Sequence, residues 1–158
     1  MSSPLWTYRM ALGAAVAALT VATALAGTVG PGDVEIVDDS AIPASLTGVA
    51  GDPVAGKDVF TGRKLGNCLA CHQVSSLMDE QQFHGEVAPP LDGVADRYSE
   101  GELRLQVVNS KVINEDTLMP AFYRVEGLNR VNEKFEGKTI LTAQQVEDVV
   151  AYLQTLKE

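Results

Sequence analysis

Cys68-Leu69-Ala70-Cys71-His72 limits this chain more than any other stretch. A C-x-x-C-H run reads as an attachment site for c-type haem. Two thiols that each add to a vinyl group must reach different edges of one macrocycle, and two intervening residues give that reach. The adjacent His72 then falls beneath the iron as proximal axial ligand. C-x-x-C also serves thioredoxin-like redox sites and half of a zinc site. The sequence holds only 2 cysteines, so no second thiolate pair can complete a four-ligand zinc centre.

With 158 residues, 46% of them apolar, the chain suits one compact domain better than two. Its 12 basic and 21 acidic side chains give a formal net charge of −9. Phosphate binding needs a basic surface, so a nucleic-acid partner is not expected. The negative field serves either solubility or steering toward a partner with a positive patch.

Residues 1–26 read as a secretory signal peptide: Arg9, an apolar run from Met10, then Ala24-Leu25-Ala26 as the small-x-small cleavage pattern. The competing reading is a retained membrane anchor. The run only approaches the roughly 20 residues a span requires, is rich in Ala and Thr, and has no basic cluster after it. Either way the body is exported, to the periplasm in a bacterium with an outer membrane. Residues 27–51, rich in Gly, Pro, Ser and acidic side chains and free of aromatics, read as an extended or mobile arm unable to bury much surface. The arm is either a spacer or a strap that orders on a partner.

The remaining domain, 52–158, reads as all-α. Asp52-Pro53 opens a first helix as cap and first-turn proline, carrying Val59 and Phe60 through Lys64 toward a stop at Gly66. A loop follows His72 as far as Gly85, then the rigid Ala88-Pro89-Pro90-Leu91-Asp92-Gly93. Ser99 with Glu102, and Thr142 with Gln145, are capping boxes. The first launches Leu103, Leu105, Val107, Val108 and Val112; the second launches Val146, Val149, Val150, Leu153 and Leu156 along one stripe. Residues 127–137 read as a polar surface loop.

The second axial position has three candidates past the motif: Met119, Met78 and His84. Met78 follows His72 too closely to round the ring edge easily. His84 sits among Gln81, Gln82 and Glu86, as a solvent-facing loop histidine would. Met119 is far enough along to reach the opposite face, in a segment that Pro120 keeps extended. On position alone, ligation and core packing by Met119 stand level. With both cysteines used for attachment, no thiol remains for covalent catalysis. The catalytic residues of this chain are therefore none.

From Asp52 to Leu156 the layout resembles a class I cytochrome c. Gly56-Lys57-Asp58-Val59-Phe60 is similar to that family's first-helix pattern and Val149-Val150-Ala151-Tyr152-Leu153 to its last helix. The resemblance implies that these helices cross tightly beside the haem. It implies that the Pro89 carbonyl accepts the N–H of His72, and that Met119 is the distal ligand. Ala88 stands where the family usually has glycine. A closer resemblance is to the SoxX family, carried by residues 66–72, 88–94, Leu118-Met119-Pro120-Ala121-Phe122-Tyr123-Arg124-Val125, and the insertion from Gly127 onward. That implies one haem c in a periplasmic heterodimer with a SoxA-type haem subunit. The complex conjugates thiosulfate oxidatively to a cysteine of a sulfur-carrier protein, as an L-cysteine S-thiosulfotransferase whose reactive cysteine lies on the partner. The SoxX haem passes electrons to an acceptor cytochrome c. The alternatives are a free-standing electron shuttle and, if Met119 only packs the core, a five-coordinate gas-binding or catalytic haem.

Overall fold

The computed structural model describes residues 27–158; the expected signal segment, 1–26, lies outside the described residues. Among the described residues four α-helices form the frame: α1 Pro53–Thr61, α2 Val94–Arg97, α3 Glu100–Asn109 and α4 Ala143–Leu153. Among the described residues there is no strand, only an isolated bridge between Val37 and Ala41. No described helix is long and apolar enough to cross a membrane.

The frame is the crossing of α1 and α4. Asp52 caps α1 by accepting the Val54 N–H at 2.8 Å, and Pro53 occupies a first-turn position that has no partner to lose. The helix ends earlier than its pattern implied, at Thr61: Gly62 still makes the last helical bond, to the Asp58 carbonyl at 2.9 Å, but its own backbone turns extended (φ −67°, ψ 112°) and the chain leaves the helix there. Gly66 is buried beyond the helix, at the entry to the haem motif. Gly56 sets the approach of the two helices, since a Cβ there would overlap the Asp148 carbonyl. Phe60 and Tyr152 meet across the crossing with ring centroids 5.2 Å apart. Both capping boxes form: Ser99 and Glu102 satisfy each other's backbone N–H, as do Thr142 and Gln145. Val146, Val149, Val150 and Leu153 of α4 are buried, as is Leu156 just past its end, and Leu103, Leu105, Val107 and Val108 of α3 close the core against them.

The segment 27–51 departs from its sequence reading as an arm unable to bury much surface. It is irregular and turn-rich, folding back so that Val29 meets Leu46, and Ile42 and Leu46 are each 1% exposed and belong to the core, with Val29, Val34 and Ile36 packed against it. A buried ion pair holds it. Arg104, on α3, donates to the Ile42 carbonyl at 2.8 Å and to Glu147 of α4 at 2.9 Å, while Glu147 accepts the Leu46 N–H at 2.8 Å. Glu100 also pairs with Arg104. Burial works against the Arg104 charge, but Glu147 and Glu100 outweigh it and hold the guanidinium above its ordinary pKa. Composition suggested little burial because the partners of the arm lie far along the chain.

Candidate functional site

Gly66 and Asn67 deliver the chain to the motif. Asn67 takes a left-handed conformation (φ 50°, ψ 38°), and a 3-10 turn over Cys68–Ala70 follows. The Cys71 and His72 N–H groups both return to the Cys68 carbonyl, at 3.1 and 3.0 Å. The thiols are not bonded to each other: Cys68 is partly buried and Cys71 is exposed. Burial, the dominant cause, pushes the Cys68 thiol up to about 12.

His72 is oriented from behind. Its Nδ1 lies 2.8 Å from the Pro89 carbonyl, which can only accept, so the proton sits on Nδ1 and the Nε2 lone pair is left for a metal. The proline stretch is itself pinned. The Leu91 N–H donates to the Gln73 carbonyl at 2.9 Å, and Asp92 accepts the Ser75 N–H at 2.9 Å. The Ala88 in place of glycine fits this turn, its N–H donating to the Cys71 carbonyl at 3.0 Å. Gly85 lies so close to the motif that a Cβ would overlap the Ala70 carbonyl, and its N–H donates to Leu69 at 2.7 Å. The loop from Gln73 therefore folds back onto the attachment site.

Met119 is partly buried and packs against the core. Its N–H donates to Thr117 Oγ1 at 3.2 Å, and Ser110 Oγ donates to its carbonyl at 3.4 Å. Downstream, the Phe122 and Tyr123 N–H groups donate to Val107 and Val108 of α3, at 3.3 and 3.2 Å. Met78 is 50% exposed, at the end of a 3-10 turn where its N–H donates to the Ser75 carbonyl at 3.2 Å. His84 differs from its expected solvent-facing placement. It is partly buried, and its Nδ1 accepts the Val74 N–H at 3.2 Å, which leaves Nε2 buried without a partner. Its polar sequence neighbours hid a bond made to the other end of its own loop.

These residues fit a covalently held haem. Two unpaired thiols stand beside a histidine whose tautomer is fixed for ligation, and a methionine lies in a separately braced segment. Cys68 and Cys71 would form the thioethers, and His72 and Met119 would supply the axial bonds. Sequence reasoning missed Arg104 and Tyr123. A clue to Arg104 was its place between Leu103 and Leu105, four residues after Glu100.

A cytochrome c family model matches residues 53–157. The chain belongs to the cytochrome c family, and its fold is that of class I with one covalently bound haem c. It is also similar to a chain of the crystal structure of SoxXA from P. pantotrophus, at 48% identity and a TM-score of 0.76. That likeness covers 83% of this chain and 99% of the other. A search of curated proteins finds no match.

Proposed function

We propose that this chain is the electron-transferring, monohaem subunit of a SoxAX-type complex, paired with a SoxA-type haem subunit in the periplasm. The observation that carries the reading is the 48% identity to the SoxXA chain along 99% of that chain's length, which spans motif, proline stretch and methionine segment together. When bound, the haem supplies a reversible one-electron couple.

The protein's own part is to hold and tune. Pro89 keeps the His72 imidazole in the tautomer and orientation that ligation needs. Met119 would hold the iron from the other side, and a haem held by His72 and Met119 together would have no site open to oxygen or small ligands and would favour a relatively high potential. With both thiols consumed in attachment, the oxidative coupling of thiosulfate to a carrier cysteine belongs to the partner. Electrons move onward from this subunit to an acceptor cytochrome. Phe83, 83% exposed in the loop folded onto the motif, and Leu118, 84% exposed beside Met119, give apolar ground for haem and partner contact.

The test is isolation of the full-length protein from its native host grown on thiosulfate. Stoichiometric co-elution of a second haem protein carrying a reactive cysteine supports the reading. Recovery as a lone, fully active electron carrier overturns it in favour of a free shuttle.

A further inference from the structure

The arm and the methionine segment meet at one partly buried hydrogen bond. Tyr123 is 5% exposed, and its hydroxyl donates to the Val29 carbonyl at 2.7 Å. Burial raises its pKa, so the phenol keeps its proton and stays a donor. Val29 is itself tied down, its N–H donating to the Leu46 carbonyl at 2.7 Å. Leu46 in turn is a core residue whose N–H is held by Glu147. A continuous chain of contacts therefore runs from the buried Arg104–Glu147 pair, through the arm, to Tyr123, which follows Met119 by only Pro120, Ala121 and Phe122. On its other side the same segment is held to α3 by the backbone bonds of Phe122 and Tyr123, and to Leu141 and Ile140 through the Phe122 carbonyl, each at 3.0 Å. Pro120 adds stiffness between Met119 and these anchors by fixing one backbone angle.

We propose that residues 27–36 are the outer jaw of a clamp on the distal-ligand segment, and that Tyr123 is a positioning residue for Met119. The proposal rests on ligation by Met119 and extends it to what keeps that bond closed. A methionine–iron bond is opened by letting the segment swing away, so its resistance to a competing ligand reports how firmly the segment is held. The α3 bonds restrain the segment from within, and the Tyr123–Val29 bond restrains it from outside. Loss of the outer restraint makes local opening cheaper without unfolding the helical frame.

Imidazole is the probe. It is titrated into the ferric holoprotein, in its native complex where one is isolated, while the methionine-to-iron charge-transfer band is followed. Tyr123→Phe keeps the ring and removes the hydroxyl. The half-saturating imidazole concentration should fall about fivefold, the scale of one net hydrogen bond. Deletion of residues 27–36 should lower it at least as far, and Tyr123→Phe in that shortened chain should add nothing, because hydroxyl and arm act as one unit. Asp52→Ala, which weakens the α1 cap away from this segment, should leave the value where it is. An unchanged value in Tyr123→Phe overturns the clamp. So does an undiminished effect of Tyr123→Phe in the shortened chain. If the wild-type protein lacks the band, Met119 ligation itself fails and the clamp fails with it. The band's presence or absence thus separates the two failures.

Discussion

The α1–α4 crossing and the haem-binding loops hold themselves together by different means. The crossing is helix against helix. Gly56 brings α1 onto the Asp148 backbone, Phe60 meets Tyr152, and an unbroken apolar stripe fills the space between. Its specificity lies in packing. The loops contain little regular structure, and their specificity lies in single polar contacts: Pro89 on His72, Asp92 on Ser75, Thr117 and Ser110 on Met119, Val29 on Tyr123. Close packing stores stability in many small contacts that no single residue controls. A loop braced by a few bonds places particular atoms for a cofactor, and losing one bond should move the site before it moves the fold. The difference assigns stability to the crossing and tuning to the loops.

The sharpest break should come at Gly56. In Gly56→Val the added carbons would overlap Asp148, and the helices must separate. A loss of about 4 kcal/mol in denaturant unfolding is expected, with little holoprotein recovered. Glu147→Ala removes the buried carboxylate of Arg104, leaving it only Glu100 and the Ile42 carbonyl, and leaves the Leu46 N–H without its partner. It should cost about 3 kcal/mol by the same measurement and release the arm to proteolysis. Gly85→Ala belongs to the loops. Its Cβ would overlap the Ala70 carbonyl beside the motif, so the yield of covalently attached haem, measured as pyridine haemochrome per protein, should fall while the helical circular dichroism of the purified holoprotein stays near wild type. A large loss of helix in that variant would erase the distinction between the two regions.

The smallest effect should come at the cap of α3. Ser99→Ala should cost about 1 kcal/mol in denaturant unfolding. The Ser99 side chain, and then its backbone, hold the Glu102 carboxyl below its ordinary pKa. A depressed carboxylate contributes its share of stability above its unfolded pKa and loses it as pH falls through the folded value. The difference between wild type and Ser99→Ala should therefore narrow as pH drops below the ordinary carboxylate range, and chemical unfolding at a series of acidic pH values checks it.

What could be read from the amino-acid sequence divides along the same line. The capping boxes at Ser99 and Thr142 and the stripe of α4 were legible because each is written within one or two helical turns. The candidacy of Met119 came from its position in the chain, whereas the relation of His72 to Pro89 was legible only through resemblance, since nothing local says which carbonyl a histidine will meet. The burial of Ile42 and Leu46 was not legible, because it depends on Arg104 and Glu147, far along the chain from the arm. The four-residue helix Val94–Arg97 escaped notice because so short a turn has no period to detect. His84 was misread for a related reason: its polar neighbours in sequence are not its neighbours in space.

The most direct test of the account is the near-infrared absorption of the ferric holoprotein. A methionine-to-iron charge-transfer band in the wild type, lost in Met119→Ala and accompanied there by new carbon monoxide binding in the ferrous state, is the predicted result. A wild-type protein that lacks the band and binds carbon monoxide readily would contradict the electron-transfer reading and return this chain to ligand-binding or catalytic haem chemistry.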